Sequence, residues 1–69
     1  MSGSDAKKYN RIKAVLDEKG ISQTWLAEKL GKTFVSVNRY ANNQNQPSLE
    51  TLFEIARALK VNPKDLISS

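Results

Sequence analysis

Apolar residues recur along this chain at three- and four-residue intervals, the spacing of amphipathic helices, and no convincing strand alternation or internal repeat interrupts them. Tyr9, Ile12, Val15 and Leu16 make a first stripe that Gly20 closes. Ser22 is placed to cap a second helix carrying Leu26, Ala27 and Leu30, with Ile21 poised to staple onto Leu26. Gly31 ends that helix, and Thr33 caps a third in which Val37 and Tyr40 share an inward side. Pro47-Ser48 opens a fourth, with Leu49, Leu52, Phe53, Ile55, Ala56 and Leu59 as its expected buried stripe. Glu50 in its first turn and Lys60 at its end both suit the helix dipole. Asn62-Pro63-Lys64-Asp65 starts a short fifth helix, in which Asn62 caps, Pro63 takes the first position, Asp65 closes the box and Val61 staples onto Leu66. The expectation is an all-α, compact five-helix bundle.

Only Gly31, Lys32 and the cap Thr33 separate the second and third helices, which is how a helix-turn-helix is connected. A helical wheel then leaves Phe34, Val35, Asn38, Arg39 and Asn42 outward or on the flanks of the third helix. Asn42, Asn43, Gln44, Asn45 and Gln46 follow it, and no acidic residue occurs between Glu28 and Glu50. That side suits a duplex. A helix fits the major groove, Asn and Gln can both donate and accept there with adenine the favoured partner, and an absent carboxylate removes repulsion from phosphate.

Composition narrows the classes. The 69 residues fit one domain, expected over residues 7–69, with residues 1–6 read as a disordered tail or cloning remnant. No cysteine or histidine is present, so disulfides and ordinary zinc sites are excluded, no calcium-loop spacing is seen, and neither metal nor cofactor is expected. Without Cys or His, no nucleophile stands at a spacing from its base, so an enzyme is not expected. No apolar run is long enough to span a membrane and no signal-peptide core is seen, so the expected address is the cytoplasm, with the nucleoid. A net charge of +4 and a pI near 9.6 point weakly to a polyanionic partner.

The ordered residues Lys19-Gly20-Ile21-Ser22-Gln23, Leu26-Ala27-Glu28-Lys29-Leu30-Gly31, Val37, Arg39, Tyr40, Pro47-Ser48-Leu49-Glu50-Thr51-Leu52 and Ala56-x-Ala58-Leu59 resemble the Xre/Cro-type helix-turn-helix family of phage and bacterial repressors. The likeness runs from about Ile12 to Leu66. It implies the lambda-repressor-like five-helix fold and sequence-specific binding of double-stranded DNA as a homodimer, at least on DNA, in a transcriptional regulator. It also implies roles. Phe34, Val35 and Asn38 match positions facing base edges, with Arg39 a further candidate. Gln23 and Thr24 at the start of the second helix, Lys32, Thr33 and Ser36 around the turn, and Asn42, Asn43 and Gln44 in the amide loop are candidate phosphate contacts. A plain turn remains the alternative for that loop.

Several residues depart from the family pattern. Phe34 and Val35 replace polar residues, and thymine methyl contact, packing back onto the domain and a protein-facing patch all remain open for them. Leu16 and Ala41 occupy the positions where the family often carries an interior Arg–Glu pair. Losing both partners can be neutral, so Leu16 is expected to be buried against the third helix. Asn43 stands where the family prefers glycine, a swap expected to be benign because Asn tolerates the left-handed conformation. Trp25 replaces the usual Glu and could cover the core edge, lie along DNA or meet a partner, and Lys32 replaces an apolar staple. The rival function is an antitoxin-type or other module whose main partner is a toxin or another protein. Any dimer is expected to use the last two helices, with Leu66 and Ile67.

Overall fold

The computed structural model of the protein describes residues 9–67. Four α-helices follow in order: α1 (Ile12–Lys19), α2 (Gln23–Leu30), α3 (Phe34–Ala41) and α4 (Leu49–Leu59), and then a 3-10 turn (Pro63–Leu66). The tail expected over residues 1–6 lies outside the described residues.

Local chemistry sets most boundaries. Ser22, Thr33 and Ser48 each adopt extended backbone and accept a hydrogen bond through Oγ or Oγ1 from the third helical residue, at 3.0, 3.1 and 3.1 Å. These bonds satisfy one of the otherwise orphaned first-turn donors in each helix. At the other end, α1, α2 and α4 close alike: the cap N–H bonds back to Asp17, Glu28 or Arg57, and the next N–H to Leu16, Ala27 or Ala56. That paired closure needs a residue in the left-handed region. Gly20 and Gly31 supply it at φ 68, but Lys60 is forced to φ 60 without being glycine. Lys60 is therefore the cap of α4 and not its last helical residue.

Ile12, Leu26, Val37, Ile55 and Leu66 are fully enclosed, and Val15, Leu16, Ala27, Ala41, Leu52, Ala56 and Leu59 complete the core. Leu16 is 2% exposed and Ala41 4%, in the same cluster, with α1 packed on α3 as the sequence led us to expect. Ile21, Tyr40 and Val61 are partly buried against it.

Three expectations fail. The fifth helix is a single four-residue 3-10 turn, so the bundle has four α-helices among the described residues. Asp65 does accept from the Asn62 N–H at 3.2 Å, but Ile67 then turns extended and bridges Asn10, which leaves no room for another turn. Tyr9 is exposed, because α1 begins only at Ile12 and the residues before it run out of helical phase. Leu49 and Phe53 are also exposed. The arc of α4 that meets the core is filled by Leu52, Ile55, Ala56 and Leu59, and the pair one turn apart at 49 and 53 stands at its edge.

Candidate nucleic-acid interface

The two-residue link between Gly31 and α3 is held by the Lys32 N–H on the Ala27 carbonyl at 2.9 Å, and α2 packs directly on α3. With Val37 and Ala41 buried, the opposite side of α3 is presented outward. Phe34 and Val35 are 49% and 55% exposed, so neither folds back into the core. Arg39 and Asn42 are exposed beside them, while Ser36 and Asn38 are half-buried.

Amide side chains tie this face together. Asn38 donates through Nδ2 to Oε1 of Gln23 at 2.9 Å and accepts at Oδ1 from Nδ2 of Asn42 at 3.1 Å. The start of α2, the middle of α3 and the cap of α3 are thus joined by one chain of carboxamides. Thr33 and Ser36 are linked at the start of α3 by their hydroxyls, 3.1 Å apart. Thr24 and Gln44 are exposed and Lys32 half-buried along the same flank. The ion pair among the described residues joins Arg11 to Glu18 at 3.5 Å, so neither Lys32 nor Arg39 is neutralised by a carboxylate there.

Asn43 behaves differently from its neighbours. Its backbone is left-handed at φ 61, as its place in the sequence suggests, but its side chain turns inward. Oδ1 accepts from the N–H groups of Tyr9 at 2.8 Å and Asn10 at 3.0 Å and from Nε2 of Gln46 at 3.1 Å, and Nδ2 donates to the Asn10 carbonyl at 3.3 Å. The carbonyl oxygen is fully engaged inward, one N–H of the amide is spoken for, and the Asn43 backbone N–H bonds the Tyr40 carbonyl at 3.1 Å. Asn at this position takes the left-handed backbone, as expected, and adds four hydrogen bonds that glycine could not make.

The reading of the sequence passed over Asn10 and Gln46. Asn10 is 6% exposed, donates to the Tyr40 carbonyl at 2.9 Å and to Oε1 of Gln46 at 2.8 Å, and accepts from the Ile12 N–H at 3.1 Å. Its position two residues before the first core isoleucine was the available signal for a capping role. Trp25 is 40% exposed and lines a cleft of about 490 Å³ between α2 and α4 with Leu30, Glu54, Arg57 and Lys60. Lys29 Nζ lies 5.7 Å from its ring centroid. The indole is therefore on the α4 side of α2, away from Gln23 and α3.

A family model of helix-turn-helix domains matches residues 12–66, the same span that carries α1 through the 3-10 turn. The chain belongs to that family. This helix-turn-helix domain is of the Cro/C1, Xre-like type. It is 37% identical over 59 residues to an uncharacterized HTH-type transcriptional regulator of Sinorhizobium fredii, covering 86% of this chain but 41% of the relative, so it spans about two-fifths of that protein. Its fold matches the crystal structure of a candidate DNA-binding protein from Bacteroides fragilis, with a TM-score of 0.86 and 45% identity over 87% of this chain and 97% of the other. It also matches the restriction-modification controller protein C.AhdI of Aeromonas hydrophila, with a TM-score of 0.73 and 29% identity over 80% and 83% of the two chains. The helix-turn-helix domain shares with both an all-helical fold.

Proposed function

We propose that this protein is a sequence-specific DNA-binding transcriptional regulator that inserts α3 into the major groove. The single observation that carries the reading is the outward side of α3: an apolar pair, an ordered amide chain and an arginine with no carboxylate partner among the described residues, with no acidic residue between Glu28 and Glu50. A helix of that width fits the groove, and those side chains match what base edges offer. Family membership and the named relatives support the same conclusion.

In this arrangement Phe34 and Val35 meet thymine methyl groups, Asn38 and Arg39 meet base edges, and Gln23, Thr24, Lys32, Thr33, Ser36, Asn42 and Gln44 hold phosphates. Asn43 contributes to the backbone grip through the shape of the loop, since its N–H bonds the Tyr40 carbonyl and its side-chain oxygen is committed inward. The protein acts without a cofactor or chemistry of its own, inside the cell beside the nucleoid, and residues 7–69 act as one domain. Among the described residues no helix is long and apolar enough to cross a membrane.

A homodimer fits the remaining surface. Leu66 is wholly buried and takes no part in a contact, which corrects the sequence expectation, but Ile67 is exposed and the Leu49/Phe53 pair stands free on α4. A dimer through this region would present two recognition helices to half-sites about 34 Å apart. Selection from random duplexes at two salt concentrations tests the whole reading. The expected result is a palindromic motif whose affinity falls as salt rises, and which weakens when uracil replaces its thymines. Enrichment without a motif sinks the regulator reading, and indifference to uracil removes Phe34 and Val35 from base reading.

One observation favours a second reading as a protein-binding module of antitoxin type. Trp25 lies half-open in a cleft lined by Lys29, Arg57 and Lys60, on the side of α2 opposite α3. A toxin or other partner that is retained by the protein and lost from Trp25→Ala would establish it.

A further inference from the structure

Asn38 is the pivot of three carboxamides, and their bonding has a direction. Gln23 contributes an acceptor, Asn42 contributes a donor, and Asn38 uses one N–H toward the first and one lone pair toward the second, at 2.9 and 3.1 Å. A carboxamide has two N–H donors and two acceptor sites. Inside this chain Asn38 therefore keeps one donor and one acceptor for the groove. Adenine presents one acceptor, N7, and one donor, the N6 amino group, whereas guanine presents two acceptors, N7 and O6. A single remaining donor cannot satisfy both guanine acceptors, but the remaining pair matches adenine.

We infer that Gln23, Asn38 and Asn42 form a polarised relay that commits Asn38 to adenine, with Gln23 and Asn42 acting as positioning residues. The inference rests on the proposal that α3 reads DNA. Its distinct content is that base choice at one position is set by two side chains that do not touch the base. Burial assists: Gln23 and Asn38 are both half-buried, so their mutual bond is shielded from competing water. The relay also leaves both N–H groups of Gln23 free, as a phosphate contact at the start of α2 requires.

Two substitutions of equal charge separate the relay from simple electrostatics. Gln23→Glu keeps an acceptor for the Asn38 amide, so the polarity survives. Asn42→Asp removes the donor and offers acceptors only, which reverses the relay and exchanges the free donor and acceptor of Asn38. Both add one negative charge beside phosphate and both lower affinity. Gln23→Ala simply cuts the chain and gives Asn38 a second free donor.

Random-duplex selection on the wild type and these variants reads the base distribution of bound DNA, which reports folded protein only. The wild type is expected to prefer adenine over guanine by about tenfold at one position per half-site, the scale of a good bidentate contact. Gln23→Glu retains that preference, while Asn42→Asp and Gln23→Ala lose it. Uniformly weaker binding with unchanged base frequencies in all three variants would overturn the relay and leave the regulator reading standing. Loss in Gln23→Glu with retention in Asn42→Asp would overturn the polarity. A wild type that enriches no motif would overturn both the relay and the proposed function.

Discussion

Leu16→Arg is expected to destabilise the protein by about 3–5 kcal/mol, the cost of an uncompensated buried charge. A chain of this length has roughly 3–10 kcal/mol of total stability, so the single variant should be largely unfolded. Leu16 is 2% exposed and sits in one core cluster with Ala41, at the two positions that the family resemblance matches to an interior Arg–Glu pair. The double variant Leu16→Arg/Ala41→Glu should therefore recover at least half of the loss, because each new charge then meets its partner across the α1–α3 contact. Urea denaturation of the two singles and the double closes the cycle. A double variant no more stable than the worse single would mean that the two positions do not face each other.

The second large effect concerns a buried polar residue. Asn10→Ala is expected to cost about 2–3 kcal/mol, since it removes the three bonds by which a buried amide ties the start of α1 to the Tyr40 carbonyl, Gln46 Oε1 and the Ile12 N–H. For a domain this small, each kcal/mol lost lowers the melting temperature by about 4–8 °C. Asn43→Gly makes the complementary cut. It keeps the left-handed backbone that the loop needs while removing the side chain that holds Tyr9, Asn10 and Gln46. The two losses should be markedly less than additive, because both variants open the same latch. Full additivity in thermal unfolding would show that Asn10 and Asn43 do not act as one latch, and an unperturbed melting temperature for Asn10→Ala would show that its bonds carry no stability.

The contrast between these two sites explains what could be read from the chain. Leu16 falls on an apolar stripe whose period is visible in sequence, and the family resemblance marks Ala41 as its interior partner, so their burial was legible before any coordinates. For Asn10 only the cap-like place ahead of Ile12 was local, and its burial was not legible because its partners lie 30 and 36 residues away. The candidate site divides the same way. The helical wheel marked Phe34, Val35, Asn38, Arg39 and Asn42 as outward or flanking, but nothing local showed which amides of the run would bond to one another. Folding assigned them opposite jobs: Asn38 and Asn42 to the exposed relay, Asn43 and Gln46 to the internal latch.

The sequence by itself determined where most of the helices start and stop and the centre of the stripe each one buries, because caps and periodicity act over three or four residues and need no distant partner. The three serine and threonine caps and the glycine closures at Gly20 and Gly31 are all of this kind. Tertiary structure decided the rest. It left Leu49 and Phe53 outside a core already filled, and it drew Lys60 into a glycine conformation so that Val61 could reach the interior. It halted the last segment after one 3-10 turn against Asn10 and gave each amide of the loop its direction. Those outcomes depend on which surfaces meet across long stretches of chain, and a hydrogen bond or a vacant edge of the core exists only once they have met.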